Sequence, residues 1–133
     1  MKNQLKLIAM LSIIIASLFF SAFPFTQVAL AKGTVTTIKL IGSAPYLSAK
    51  STAKYKVDTQ REFQVEVENV KALAGKTLSV SVNGIKVGSF VVNNLGIGRL
   101  NLNTSRGNNV PRIQTGAIVR VKFGNIVVVS GKF

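Results

Sequence analysis

Thr77-Leu78-Ser79-Val80-Ser81-Val82-Asn83-Gly84-Ile85-Lys86-Val87-Gly88-Ser89-Phe90-Val91-Val92 is the stretch whose reading decides the fold. Its first arm alternates apolar and polar residues with period two, as a strand with one buried face does, and nothing in it recurs with the 3.6-residue period of a helix. Asn83-Gly84 supplies a two-residue loop whose backbone accepts positive φ at both positions, the requirement of a type I′ hairpin turn. Such a turn fixes the register: Val82 faces Ile85 and Val80 faces Val87, so apolar side chains land together.

The same pattern continues on both sides. Toward the N-terminus, Thr34 to Gly42 reads as a strand, a loop follows around Ala44-Pro45-Tyr46, and Thr52–Asp58 with Arg61–Asn69 makes a hairpin. In its second arm Phe63, Val65 and Val67 share one face, and Glu62, Gln64, Glu66 and Glu68 share the other. Toward the C-terminus, Asn93-Asn94-Leu95-Gly96 turns into a strand from Ile97 to Leu102, and a polar loop runs from Asn103 to Gly116. Ala117–Phe123 and Ile126–Phe133 form a last hairpin about Gly124-Asn125, with Val119, Val121 and Phe123 pointing one way and Arg120 and Lys122 the other. Seven or eight short strands with turn residues between them are the pattern of a small antiparallel β-sandwich of immunoglobulin-like size, without the Cys and Trp of antibody domains. A small closed β-barrel is the alternative all-β solution, since each strand again has one apolar face.

Four segments carry a resemblance: Arg61 to Glu68, Leu78 to Gly88, Val110-Pro111-Arg112-Ile113-Gln114-Thr115-Gly116, and Val129-Ser130-Gly131-Lys132-Phe133. Together they resemble a pattern recurring in small exported bacterial β-sandwich modules of no established activity. The resemblance implies a compact extracytoplasmic β fold and carries over no functional residue.

The N-terminal part reads differently. Lys2 and Lys6 form a positive start without acids, an apolar run of Leu, Ile, Ala, Met and Phe follows from Leu7 to Phe23, and Ala29-Leu30-Ala31 has the A-x-A form that signal peptidase accepts. Residues 1–31 are therefore expected to be a signal peptide, cleaved before Lys32, and residues 32–133 a single domain. This places the mature protein outside the cytoplasm, secreted or in the periplasm or at the cell surface. The alternative is a module tethered by an uncleaved segment, although the apolar run is at the lower limit for a membrane span.

The chain has no Cys and no His. That removes disulfides, the thiol nucleophile, the usual general base and nearly every transition-metal ligand set, so no catalytic residue, metal site or cofactor is expected. Glu62, Glu66 and Glu68 share a strand face and invite comparison with paired-carboxylate or Ca²⁺ chemistry, but Lys50, Lys54 and Lys56 have the matching parity on the preceding strand, which predicts cross-strand ion pairs. Ser51-Thr52-Ala53-Lys54 matches the S-x-x-K nucleophile motif, yet the accompanying K-T-G and S-D-N elements are missing. Gly96-Ile97-Gly98 fails as a phosphate loop because Asn101 stands where a third Gly belongs and no helix follows. A small enzyme would have to work without any of these groups. Asn103-Thr104-Ser105 is a formal glycosylation sequon, without consequence in a chain of bacterial character.

Charge carries the positive content. Seventeen Lys and Arg stand against four acids, for a formal charge of +13 that becomes +11 once Lys2 and Lys6 are removed with the leader. All four acids lie between Asp58 and Glu68, so the chain from Asn69 onward is basic throughout. Lys86, Arg99, Arg120 and Lys122 alternate with apolar strand residues, and Arg106 and Arg112 lie in the long loop. These six are the candidate polyanion-binding residues, forming a cationic sheet face with a cationic loop beside it. The expected partner is an anionic polysaccharide or another surface polymer. Sequence-specific nucleic-acid binding is not expected, because the aromatics do not interleave with Lys and Arg as stacking platforms. A transmembrane barrel is disfavoured by strands shorter than a membrane needs. A structural subunit that pairs with another envelope protein through apolar residues such as Phe90 and Val92 is the second reading. N-terminal sequencing of the exported protein should begin at Lys32; a product that retains Leu7 to Phe23 would make it a tethered module instead.

Overall fold

The computed structural model describes residues 33–133; the expected signal peptide and its cleavage point, Ala29 to Lys32, lie outside the described residues. Eight strands follow one another: β1 Thr34–Gly42, β2 Lys50–Val57, β3 Arg61–Glu68, β4 Thr77–Val82, β5 Ile85–Val91, β6 Gly98–Asn103, β7 Ile118–Phe123 and β8 Ile126–Lys132. Each strand anticipated from the alternation is present with nearly the anticipated ends. Two 3-10 turns, Lys71–Leu73 and Thr104–Arg106, are the additions.

All pairings are antiparallel and connect the strands into one sheet in the order β5-β4-β7-β8-β1-β2-β3-β6. The middle of that order is its thinnest point. β1 pairs with β8 only through Ile41 with Ser130 and Gly42 with Val129, so the sheet consists of two four-stranded halves hinged at one corner. The two halves enclose a single core, in which Phe63, Val65, Val67, Leu78, Val80, Val119, Val121, Val128 and Val129 are wholly buried. With no Cys in the chain, this packing has to provide the stability, at about 1.5–3 kcal/mol for each large apolar side chain fully removed from water.

The sheet curls until its end strands, β5 and β6, meet. They share no hydrogen-bonded ladder and instead interlock by side chains. Leu100 of β6 packs on Gly88 of β5, where a Cβ would come within 2.9 Å of the Leu100 Cδ2. The Phe90 ring of β5 lies on Gly98 of β6, where a Cβ would overlap the ring. Glycine on each facing strand thus leaves room for a large apolar residue from the other. The result is the expected all-β antiparallel architecture in its barrel-like form, nearly closed and sealed along one seam by packing alone.

The Asn83-Gly84 turn adopts the anticipated geometry, with φ of 50° and 81° at its two residues. Asn83 also extends the neighbouring ladder: its backbone N–H donates to Ile118 O at 2.8 Å, and its Oδ1 accepts from Ile118 N at 2.9 Å. The register behind the turn differs from expectation. Val82 does face Ile85, but Ser81 pairs with Lys86 and Val80 with Gly88, which leaves Val87 as an extra residue in a β-bulge. A one-residue shift reverses which side chains face the core. Phe90 and Val92 are accordingly core residues, 7% and 1% exposed, and not the exposed apolar surface that the alternation suggests for partner binding. The outward apolar residues nearby are Ile85 and Val91.

Replacing Gly98 by Ala should overpack the seam against the Phe90 ring and cost about 1–3 kcal/mol, read as a lower midpoint in urea or thermal unfolding. An unchanged midpoint would show that the seam does not hold β5 and β6 together.

Candidate functional site

The outer face of β1-β2-β3-β6 is a lattice of mixed charge. Its rows across the strands run Lys39–Thr52–Glu66–Arg99, Thr37–Lys54–Gln64–Asn101 and Val35–Lys56–Glu62–Asn103, with Ile41–Lys50–Glu68 at one end. Lys50 is therefore opposite Glu68 and Lys56 opposite Glu62, as the matching parity allows, but no Lys–Glu pair closes to an ion pair among the described residues. The closest ion pair comes from the next strand: Arg99 Nε donates to Glu66 Oε2 at 2.7 Å, and Arg99 Nη2 donates to the same oxygen. Lys56 Nζ lies 3.8 Å from Asp58 Oδ2. The Glu66 carboxyl is held below the ordinary carboxylate range by its hydrogen bond with Glu68 and then by Arg99. The Glu68 carboxyl is raised by that same hydrogen bond and by the charge of Glu66. No group of three acidic, His or Cys side chains suited to a metal ion occurs among the described residues.

Ser51 and Lys54, the two ends of the S-x-x-K match, lie on opposite faces of β2. Ser51 is buried and its Oγ donates to Glu66 O at 2.7 Å, while Lys54 belongs to the outer lattice. A residue spacing of three brings side chains together on a helix and separates them on a strand.

The outer face of β5-β4-β7-β8 has a different composition. One row reads Lys86–Ser81–Arg120–Ser130 and the next Ser89–Ser79–Lys122–Val127. Arg120 and Lys122 alternate with buried Val119 and Val121, so both project outward, and Lys132 lies across from Ile118 at the end of the same pair of strands. These four strands contain no acidic residue. Arg120 stands between Ser81 and Ser130, Lys86 faces Ser81 and Lys122 lies between Ser79 and Val127, and none of the three makes a salt bridge among the described residues. Two strand spacings separate Lys86 from Arg120, about 10 Å.

A third feature lies at the end of the barrel where β1 begins and β2 turns into β3. Here the inward positions change character: Leu40 and Ile38 are followed on the same face of β1 by Thr36 and Thr34, and Phe63 of β3 is preceded by Arg61. With Tyr55, the Asp58-Thr59-Gln60 turn, Thr104 and the loop residues Arg112, Ile113 and Gln114, they form an open cup of about 790 Å³. Its walls are braced. The Arg61 guanidinium donates from Nε and Nη2 to Val110 O, each at 3.3 Å, and Val110 is itself buried. Thr104 Oγ1 accepts from Arg61 N at 2.9 Å and donates to Gln60 Oε1 at 2.8 Å. Asp58 Oδ1 accepts from Gln60 N at 2.7 Å.

The six cations singled out from the sequence are thus dispersed. Lys86, Arg120 and Lys122 share one sheet face. Arg99 belongs to the ladder of β3 and β6 and is engaged by Glu66, unlike those three. Arg106 is exposed in the 3-10 turn Thr104–Arg106, and Arg112 lines the cup. The six are not gathered into one continuous face with its loop: strand order, which alternation does not encode, pairs β6 with β3 and so gives Arg99 to Glu66, and β6 meets β5 only across the seam. The cup was not anticipated. Its signal was present in the chain as Thr34 and Thr36 in the parity of Ile38 and Leu40, polar residues where an inward strand face should be apolar.

No family model matches the chain, and no curated protein emerges as a relative of it.

Glu66 contributes stability that is present at neutral pH and lost as pH falls through its depressed pKa; Glu68, raised, contributes stability that is present at low pH and lost as pH rises through its own pKa. Carboxyl-detected NMR titration should therefore find Glu66 below and Glu68 above the ordinary range. Arg99→Gln should move Glu66 upward, and identical titration of Glu66 in both proteins would contradict the ion pair.

Proposed function

We propose that this protein is a non-catalytic, extracytoplasmic binding domain that holds anionic surface polymers against the outer face of β4, β5, β7 and β8. The observation that carries the reading is the segregation of charge. All four acids face Lys and Arg partners on or beside β3, whereas Lys86, Arg120 and Lys122 stand among serines with no acid on their strands. A charged polymer gains from cations spaced along a face that holds no acid, and it gains less from a lattice in which carboxylates stand opposite Lys50, Lys56 and Arg99 and repel it. Export by the N-terminal signal would give such a domain polysaccharides and other anionic envelope polymers as partners, ahead of nucleic acid. Arg120 and Lys122 are half-buried on this face and engage no carboxylate among the described residues.

Assembly with another envelope protein is the second reading, and the open edge of β1 favours it. From Thr34 to Leu40 that strand is paired on one side by β2 and has no ladder partner on the other among the described residues, the arrangement that accepts an added strand. A strictly monomeric species in light scattering at all concentrations, with no added strand from a partner, would remove this reading.

The main reading is tested on immobilised heparin, a generic polyanion. The mature protein should stay bound at moderate salt, and the combined variant Lys86→Ser, Arg120→Ser, Lys122→Ser should elute at clearly lower salt, because each cation removed reduces the salt-dependent part of the affinity. The combined variant Lys39→Ser, Lys50→Ser, Lys54→Ser, which removes three cations from the outer face of β1 and β2, should elute close to the parent. Equal displacement by both variants would mean that net charge alone governs retention and would sink the proposal.

A further inference from the structure

The polar cup at the mouth of the barrel is a binding site in its own right, and we infer that it takes a carboxylate-bearing oligosaccharide, of uronic-acid type. The inference rests on the binding-domain reading for its ligand class and uses residues separate from the basic sheet face.

The cup's volume, about 790 Å³, falls within the range of small-ligand sites, and barrel mouths are among the places where such sites occur. Its charge is positive in net effect. Arg61 and Arg112 line it from β3 and from the long loop, while its one carboxylate, Asp58, is engaged by Gln60 N and by Lys56. Two guanidinium groups from different elements call for a planar anion, and a carboxylate matches their paired N–H donors. Arg61 is held in place by Val110 O, which uses only part of its donor set and leaves further N–H groups without a protein acceptor among the described residues. Arg61 is therefore preorganised before any ligand arrives, which lowers the ordering cost of binding.

The rest of the lining decides between ligand classes. Thr34, Thr36, Gln60 and Gln114 offer hydroxyl and amide groups, each able both to donate and to accept, and this is what successive sugar hydroxyls require. Inorganic phosphate or a simple carboxylate would use the arginines and leave these groups to water. Tyr55 adds a half-buried aromatic wall with a polar tip, suited to a ligand that has both apolar ring faces and hydroxyls. A single aromatic gives no stacking series for a nucleic-acid strand. The cup is open at one side and adjoins the unpaired edge of β1, so a chain longer than the cup can leave it without threading the barrel.

The test is titration of the mature chain, followed by backbone NMR and calorimetry, with three probes: tetragalacturonate, the neutral maltotetraose and inorganic phosphate. Tetragalacturonate should bind and shift the amides of Thr34, Thr36, Gln60 and Gln114, and maltotetraose and phosphate should bind at least tenfold more weakly. Arg112→Gln, an exposed loop change that leaves the core intact, should weaken tetragalacturonate by about tenfold, the effect of removing one charge-assisted hydrogen bond, and Thr36→Val should weaken it measurably. The Lys86→Ser, Arg120→Ser, Lys122→Ser variant should bind tetragalacturonate within about twofold of the parent, which separates failure of the cup from failure of the sheet face. Shifts confined to Lys86, Arg120 and Lys122, or equal affinity for phosphate and tetragalacturonate, or no effect of Arg112→Gln, would each overturn the proposal.

Discussion

The interlocking of Phe90 with Gly98 and of Leu100 with Gly88 is the interaction on which the rest of the structure depends. A chain of this size without Cys has only its apolar interior to hold it, and an eight-stranded sheet has an interior only if its ends meet. β5 and β6 meet without backbone hydrogen bonds, so their approach is set by how closely side chains fit over bare backbone. Glycine on both strands makes that fit possible, and the bulge at Val87 turns Phe90 inward to use it. The same closure brings the long loop after β6 over the end of the barrel, where Val110 enters the core and Arg61 bonds to its carbonyl. Seam, covering loop and cup are thus consequences of one constraint.

Closure also separates the charges. Joining the two halves through a two-residue ladder at the β1–β8 corner turns their outer faces in different directions. One face carries every acid strand residue with its Lys and Arg partners, and the other carries cations spaced by serine. Exposed charge pairs of the first kind contribute little stability individually, so their larger effect is electrostatic: the acids offset part of the positive charge of one half and leave the cations of the other unopposed. A net charge that is large in sum becomes a directed field only through this arrangement.

The cup shows the same logic at smaller scale. Polar residues at inward positions are costly inside a core and harmless at a barrel mouth, where water or a ligand can satisfy them. Thr34, Thr36 and Arg61 occupy such positions, and Thr104 braces Arg61 and the Asp58-Thr59-Gln60 turn by local hydrogen bonds. The arrangement fixes donors in space without burying them, which is what separates a binding cavity from a packing defect.

Much of this was legible in the chain. Strand positions follow from period-two alternation and from turns such as Asn83-Gly84, because both are governed by local backbone geometry that neighbouring residues specify. The outward direction of Arg120 and Lys122 follows from the same parity, and so does the sharing of one face by Lys50, Lys54 and Lys56 with Glu62, Glu66 and Glu68. Tertiary structure alone decided three things. It placed the bulge at Val87 and so made Phe90 and Val92 core residues, because register depends on how the whole sheet twists and not on the turn alone. It paired β6 with β3, which gave Arg99 to Glu66 and took it from the basic face, because strand order is a matter of long-range packing. And it gathered Thr34, Tyr55, Arg61 and Arg112 into one cup, because residues distant in sequence become neighbours only when a closed sheet brings strand ends and a loop to the same mouth.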